Sequence, residues 1–314
     1  MGTPEFAVAT LKMLVEQRYN VVAVVTQPDK PVGRHGSVLQ PSAVKQYALA
    51  QGLPVLQPEK MKDPEFIAQL RSYRANLQVV VAFRMLPEVV WAMPEYGTFN
   101  VHAALLPQYR GAAPINWAII NGEKQTGVTT FFLDHNIDTG RIIMQLPFDI
   151  PETADVEYVY DGLMQLGAEI CRQTLERIVE AGGHPESMPQ DECATLHTAP
   201  KIFKETCEIN WEQPARNVYN FVRGLSPVPG AWTRLVGPDG KETVLKVFRS
   251  QPADLAVGSQ PVGSLFLSGK QRLCVVCGGQ SAIELTDVQL AGKKRMAVRD
   301  FLNGMKDIEC YRVK

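Results

Sequence analysis

The chain has 314 residues, of which 45% are hydrophobic and 21% charged, so two packed domains are expected and disorder is not. Its formal net charge of -1 excludes a uniformly basic nucleic-acid binder. Six cysteines are too few for a disulfide scaffold, no apolar run could span a bilayer, and the first residues lack a signal-peptide pattern, so a cytoplasmic protein is expected.

The first half of the chain alternates apolar, β-branched runs with helical patterns. Strands are predicted at residues 20–26, 77–83, 98–102 and 128–133. Helices are predicted after Thr3 and at residues 41–51, 63–71, 113–120 and about 156–180. The first two runs are continuously hydrophobic, which is typical of strands buried on both faces. The alternation predicts an α/β domain at residues 1–183 with a doubly wound, mostly parallel sheet of the Rossmann-like kind.

The second half has a different character. Glycines at 182 and 183 and prolines at 185, 189 and 200 predict a linker at residues 184–201. Beyond it, a helix is predicted at residues 214–223 and short strands at 231–236, 243–249, 263–267, 272–277 and 282–288. Short strands separated by turns predict a small OB-like β-barrel in a domain of residues 202–314.

Charge divides unequally between these two halves. Residues 202–314 carry 16 Lys+Arg against 11 Asp+Glu, a balance of +5, whereas the remaining residues have a balance of −6. A basic barrel joined to an acidic α/β domain indicates a polyanionic partner, and an ordinary solvated surface is the alternative explanation.

Few motifs carry chemistry. Glycine-rich phosphate loops and a nucleophile elbow are missing. Cys274 and Cys277 have metal-ligand spacing, but no second pair of ligands accompanies them, so no metal is expected. The strand at residues 98–102 ends with Asn100 and His102, which share one face because they are two residues apart. An amide beside an imidazole suits acyl-type transfer, since one can stabilise an oxyanion and the other can move a proton. Asp138 could orient His102 if their loops meet; a plain hydrogen-bonded loop and a plain turn are the alternatives.

Five ordered motifs make the sequence recognisable. They are GTPEF at residues 2–6, TQPDKPVGR at 26–34, LLPQYRGAAPI at 105–115, IDTG at 137–140 and AGKK at 291–294. With them, the chain resembles the methionyl-tRNA formyltransferases of the folate-dependent formyltransferase family along nearly its whole length. The resemblance implies transfer of the formyl group of 10-formyltetrahydrofolate to the α-amino group of methionyl initiator tRNA, for translation initiation.

The resemblance also implies roles for individual residues. Catalysis falls to Asn100, which would hold the oxyanion, to His102, which would assist proton transfer, and to Asp138, which would orient His102. The implied folate-binding residues are Phe83, Arg84, Leu86, Ala104, Leu105, Leu106, Pro107, Asp134 and Ile137. The implied tRNA contacts are Lys30, Arg34, Lys293, Lys294 and Arg295. Neither a metal nor a membrane partner is implied, and a monomer is expected.

Three features depart from the family pattern. The family has a strand before Gly-Thr-Pro, whereas this chain begins at Met1-Gly2, so either a central strand is missing or the start has been assigned too late. Ala104 stands in place of a usual serine, which removes a hydroxyl near folate, and Arg84 stands in place of a smaller residue. Two other functions stay open: a folate-dependent formyltransferase that acts on a sugar-nucleotide amine, and a non-catalytic RNA-binding relative.

Overall fold

The computed structural model describes residues 1–32, 38–191, 195–269, 271–305 and 307–314. The chain forms two units, each with its own internal contacts. The first contains Met1–Gly111, Gln125–Asp149 and Tyr160–Thr198, and the second contains Ala112–Lys124, Ile150–Val159 and Ala199–Lys314. Both units draw on more than one stretch of the sequence, because two short segments of the first half belong to the second unit.

The helices and strands follow the predicted order. The helices are α1 (Glu5–Glu16), α2 (Ala43–Ala50), α3 (Pro64–Ser72), α4 (Glu88–Trp91), α5 (Pro114–Ile120), α6 (Val156–Glu180), α7 (Ala215–Leu225) and α8 (Val298–Asn303). Strands of the first half are β1 (Val24–Val25), β2 (Lys30–Val32), β3 (Val38–Gln40), β4 (Val55–Leu56), β5 (Gln78–Val81), β6 (Thr98–His102), β7 (Arg110–Gly111), β8 (Gln125–Phe132) and β9 (Ile142–Asp149). The later strands are β10 (Thr198–Ala199), β11 (Ala231–Val236), β12 (Glu242–Ala253), β13 (Leu265–Ser268), β14 (Arg272–Cys277), β15 (Ser281–Leu290), β16 (Met296–Ala297) and β17 (Arg312–Val313).

Helix starts coincide with capping residues in the sequence. Ser42 Oγ accepts a hydrogen bond from Lys45 N at 3.0 Å and begins α2. Asp63 Oδ1 accepts from Glu65 N at 2.9 Å, and Pro64 fits the first turn of α3, where its missing N–H is not needed. In the part of the chain that the structure describes, no helix is both long enough and apolar enough to cross a membrane.

The sheet of the first unit is parallel on one side and antiparallel on the other. β1 pairs with β4 and β5 pairs with β6 in parallel, whereas β8 pairs antiparallel with both β6 and β9. The predicted α/β class is confirmed, with antiparallel strands added to a parallel core. The register places Asn100 beside Val80 and Phe131, and His102 beside Thr129.

A slot separates β1 from β5. Its volume is about 620 Å³, β1 and β5 line two sides, and residues of α1 and α6 line the others. Met1 and Gly2 occupy one end. Met1 N donates to Val79 O at 2.7 Å, Val81 N donates to Met1 O at 2.9 Å, and Gly2 N donates to Val25 O at 3.0 Å. Among the described residues, these bonds alone join the two parts of the sheet through the backbone.

The second unit is built around a closed antiparallel sheet. Its strand order is β13-β14-β15-β12-β11-β17, and β16 pairs with β15. Ser264, just before β13, bridges to Arg312 of β17, and Val313 N donates to Gly263 O at 2.9 Å, so the last strand meets the first. The predicted small β-barrel is therefore confirmed. Trp211 fills its core and donates from Nε1 to Thr233 Oγ1 at 2.9 Å.

Buried thiols are protected in this fold. Burial raises the pKa of Cys171 and of Cys277 to about 12 and that of Cys274 to about 11, whereas Cys310 is exposed. Because the thiolate is the reactive form, we expect iodoacetamide at pH 8 to label Cys310 in the native chain and the three buried thiols only after unfolding. Residue-resolved mass spectrometry measures this, and native labelling of Cys277 as fast as Cys310 would contradict it.

Candidate active site

His102 is held at the end of β6 by contacts on both ring nitrogens. Its side chain is 6% exposed, Nε2 lies 2.9 Å from Tyr109 O, and Nδ1 lies 3.8 Å from Asp138 Oδ2. Because a carbonyl oxygen only accepts, Nε2 carries the ring hydrogen and donates it to Tyr109. Nδ1 therefore presents its lone pair near a carboxylate. That nitrogen can take up a proton, and the nearby anion stabilises the resulting positive charge.

Asp138 is fixed by its own backbone as well as by its side chain. Its Oδ2 accepts a hydrogen bond from Gly111 N at 2.9 Å. Its φ of 56° lies in the left-handed region, which costs a residue other than glycine roughly 1 kcal/mol or more. The loops that carry Asp138 and Gly111 therefore meet, as the sequence analysis required for an interaction between Asp138 and His102.

Contacts within the loop that carries Asp138 explain why it contains Asp134 and Gly140. Asp134, predicted to bind folate, accepts from Thr139 Oγ1 at 2.8 Å and from Asn136 N at 2.9 Å, so its carboxylate shapes the loop. A Cβ on Gly140 would overlap the carbonyl oxygen of Phe132. Glycine is therefore required at the end of the loop, and this turn also places a carboxylate beside His102.

Asn100 differs from its neighbours in being uncommitted. It is half-buried on β6, two residues before His102. Within the described ranges, its side-chain amide has no hydrogen-bond partner in the protein. The amide is therefore available to donate to a bound carbonyl or oxyanion.

The Leu-Leu-Pro segment is anchored by a buried polar network. Thr129 Oγ1, opposite His102 on β8, donates to Ala104 O at 2.6 Å and accepts from Leu106 N at 3.1 Å. Gln145 Nε2 donates to Leu106 O at 2.8 Å and to Thr129 Oγ1 at 3.0 Å. Ala104 and Leu106 are buried, so the segment offers its backbone and Leu105 rather than these two side chains to a ligand. Sequence analysis missed Thr129 and Gln145; β8 is buried on both faces at Thr129, so alternation gives no signal for it.

The remaining predicted folate residues lie around two loops with apolar tips. Arg84 donates to the carbonyls of residues 58–59 and so fastens that segment to the end of β5. Leu86 is buried in the core, whereas Ile137 is 58% exposed. Met85, between the predicted Arg84 and Leu86, is 70% exposed. The half-buried members of the predicted set are Phe83, Arg84, Leu105, Pro107 and Asp134.

Tyr109 connects His102 to a segment far along the chain. Its carbonyl binds His102, its N–H donates to His197 O at 2.6 Å, and its ring stacks on His197 with centroids 5.9 Å apart. Tyr109 is also left-handed, with φ at 60°. His197 lies in the segment predicted as a linker, so this stacking ties that segment to the site.

Gln190 contacts two site loops from the segment predicted as a linker. Its Nε2 donates to Asp138 O at 2.8 Å and to Gly140 O at 2.9 Å. Its Oε1 accepts from Arg110 Nη2 at 2.6 Å and Arg110 Nε at 3.0 Å. The proline-rich segment around Gln190 has no helical or strand periodicity, so its sequence gave no sign of this role.

The predicted tRNA contacts differ in what the structure places around them. The exposed lysines are Lys30, Lys293 and Lys294. Arg34 lies outside the described residues. Arg295 donates to Asp287 Oδ2 at 2.6 and 2.9 Å and lies 4.5 Å from the Phe248 ring centroid, so its guanidinium is engaged within the barrel. In the described ranges no three His, Cys, Asp or Glu side chains form a metal-binding group.

Comparison with known proteins gives consistent matches over both units. The Formyl transferase family matches residues 1–175, and the Formyl transferase C-terminal domain family matches residues 201–306. The methionyl-tRNA formyltransferase of Parabacteroides distasonis is 57% identical over 317 residues, with 100% of this chain and 97% of the relative covered. That of Bacteroides fragilis is 53% identical over 317 residues, with coverage of 100% and 96%.

Solved structures share the fold at lower identity. WlaRD, a sugar 3N-formyl transferase crystallised in the presence of dTDP and 5-N-formyl-THF, has a TM-score of 0.62 and 18% identity, with 93% of this chain and 97% of that chain covered. The N-formyltransferase of Helicobacter canadensis, in complex with folinic acid and dTDP-3-aminofucose, has a TM-score of 0.59 and 18% identity, with coverage of 90% and 96%. At these identities the likeness concerns the fold.

Proposed function

The chain belongs to the formyl transferase family, and we propose that it transfers the formyl group of 10-formyltetrahydrofolate to the α-amino group of methionyl initiator tRNA. One arrangement carries the proposal: an uncommitted Asn100 amide stands two residues from a His102 ring that lies between Tyr109 O and Asp138. The substrate is supported by relatives at 53% and 57% identity that are named methionyl-tRNA formyltransferase.

A folate-derived donor fits the surroundings of this arrangement. Met85 and Ile137 expose apolar side chains on loops that sequence analysis placed around the pterin, and such surfaces suit a flat heterocycle. We assign residues 104–107 to the edge of the bound heterocycle, because the buried Thr129 network holds that segment rigid. When bound, the donor supplies a formyl carbon that an amine can attack.

The chain's own residues handle charge and protons during the transfer. As the amino nitrogen bonds to the formyl carbon, negative charge develops on the formyl oxygen, and Asn100 donates a hydrogen bond to it. His102 takes the amine proton at Nδ1, and Asp138 stabilises the imidazolium. His102 then returns the proton to the leaving nitrogen of the donor as its bond to carbon breaks. The products are formylmethionyl-tRNA and tetrahydrofolate.

The tRNA is assigned to exposed cations of both units. Lys30, Lys293 and Lys294 would contact phosphates and so position the tRNA without reading bases. Arg295, paired with Asp287, holds the turn that carries the two barrel lysines. Arg34 remains a prediction. We further propose that the enzyme acts as a monomer in the cytoplasm, because one chain supplies every assigned residue and its described cysteines are free.

A transfer assay tests the reaction. The purified chain is incubated with 10-formyltetrahydrofolate and either methionyl initiator tRNA, a dTDP-linked amino sugar or uncharged tRNA. Formylmethionyl-tRNA is the expected product, measured by acid-gel or mass analysis of the aminoacyl end. Formylation of the amino sugar alone would replace the proposal with the sugar-nucleotide function, and tRNA binding without any transfer would indicate a non-catalytic RNA-binding protein.

Salt dependence tests the tRNA contacts. Released counterions make the logarithm of tRNA affinity fall linearly with the logarithm of salt concentration. Changing both Lys293 and Lys294 to glutamine is expected to weaken binding at low salt and to reduce that slope by about two. Lys12→Gln, in an exposed ion pair with Glu16 on α1, is the control and should leave the slope unchanged. An unchanged slope in the double variant would remove these lysines from the interface.

A further inference from the structure

We propose that Gln190 is a positioning residue of the transfer reaction, one that clamps together the two loops flanking His102. The inference rests on the proposed function for its catalytic meaning, although the clamp itself is a matter of geometry. Gln190 lies about 50 residues beyond Asp138 in sequence, and it touches none of the reacting groups assigned above. Its effect would pass through the loops that hold His102.

Both the oxygen and the nitrogen of the Gln190 side-chain amide form two hydrogen bonds. The side chain is buried, with 8% of the residue exposed. Nε2 supplies two hydrogens to the carbonyls of Asp138 and Gly140, and Oε1 receives both hydrogen bonds from Arg110. The amide therefore joins one loop through its nitrogen and the other through its oxygen.

These two loops are the ones that contact the imidazole. The loop of residues 109–111 places the carbonyl oxygen of Tyr109 beside Nε2 of His102. The loop of residues 134–140 places the carboxylate of Asp138 near Nδ1. Tyr109 and Asp138 both have left-handed backbones, which persist only where surrounding contacts impose them. Besides the clamp, Gly111 N to Asp138 Oδ2 is the direct bond between the loops. Gln190 adds a second connection that does not involve the Asp138 carboxylate.

A neutral amide suits this position better than a carboxylate does. Glutamate at 190 would still accept from Arg110, but it would place a negative oxygen against the carbonyl oxygens of Asp138 and Gly140. Gln190→Glu therefore keeps one half of the clamp and breaks the other with little change in volume. Gln190→Ala removes both halves. Arg141→Ala is the matched control, because the Arg141 side chain binds the same segment at Ser187 and takes no part in the hydrogen bonds between Gln190 and the two loops.

Steady-state kinetics with methionyl-tRNA and 10-formyltetrahydrofolate provide the first readout. Misplacing a catalytic group by about 1 Å can cost roughly 100-fold in rate. We expect both Gln190 variants to lower kcat by about 10- to 100-fold with KM for each substrate within about threefold, and Arg141→Ala to stay within about twofold of wild type. A Gln190→Glu variant with wild-type kcat, or equal losses in Arg141→Ala, would overturn the proposal.

Hydrogen–deuterium exchange provides a readout independent of activity. Peptides covering residues 109–112 and 134–140 are expected to exchange faster in both Gln190 variants than in wild type, and at wild-type rates in Arg141→Ala. If Gln190→Ala does not fold, Arg110→Ala tests the same clamp from its other side. An inactive wild-type enzyme would refute the proposed function but leave this exchange test intact. Unchanged exchange in a folded Gln190 variant would refute the clamp.

Discussion

Changing His102 to alanine is expected to lower kcat for formyl transfer by about 10³-fold, within the range typical of lost acid–base catalysis. The ring is buried between Tyr109 O and Asp138, and alanine removes the imidazole nitrogen that takes the amine proton. Initial rates at saturating donor and tRNA measure the effect. Circular dichroism and thermal unfolding establish that the variant is folded.

The companion variant is Asn100→Ala, for which we expect a loss of about 10²- to 10³-fold from the missing oxyanion donor. The double variant should be little worse than the poorer single variant, because the two residues act in one step. His184→Ala is the control, since His184 is exposed and packs only edge-on against Tyr96 in the described contacts. A folded Asn100→Ala or His102→Ala enzyme with near wild-type turnover would show that catalysis lies elsewhere.

Changing Gly140 to alanine is expected to damage both stability and catalysis. The added Cβ would overlap the carbonyl oxygen of Phe132, which is backbone and cannot rotate away. The loop must shift, and overpacking of this kind costs about 1–3 kcal/mol of unfolding free energy. Because the Gly140 carbonyl binds Gln190 and the loop carries Asp138, we also expect kcat to fall about 100-fold.

Denaturant unfolding measures the stability of Gly140→Ala, and initial rates measure its kcat. Gly167→Ala in α6 is the matched control, because the same added methyl would meet Phe6 and Val101 at an ordinary 3.5 Å. Alanine is favoured over glycine in a helix by up to about 1 kcal/mol, so this control should be as stable as wild type or slightly more stable. Wild-type stability and turnover in Gly140→Ala would mean that the loop is not constrained as described.

Sequence patterns were sufficient to predict features that depend on residues close together in the chain. Residues 98–102 alternate along a strand, and this alone placed Asn100 and His102 on one face. The capping residues Ser42 and Asp63 marked two helix starts. The continuous run at 20–26 was predicted as one strand, but only Val24–Val25 is paired, with Val55 and Leu56 of the short strand β4.

Contacts made by backbone atoms across long sequence separations were not predictable. Tyr109 holds His102 through a carbonyl, and every residue has a carbonyl, so the side chain gave no signal. Thr129 and Gln190 act on backbone groups of other segments, and their roles exist only once those segments are brought together. Arg84 and Arg295 were predicted to contact ligands because of their positions in the sequence. In the structure, Arg84 donates to backbone carbonyls and Arg295 donates to Asp287.

The unequal ladders of the first unit have a consequence for how cooperatively it unfolds. β1 and β4 share two residue pairs, whereas β5, β6, β8 and β9 form a four-stranded sheet. Val25 of β1 and Val80 of β5 belong to one apolar cluster with Phe66, so side-chain packing contributes to holding the two ladders together. Opening of the β1–β4 pair would leave the β5–β6–β8–β9 ladder hydrogen-bonded. The strands that carry Asn100 and His102 therefore form the more persistent local folding unit.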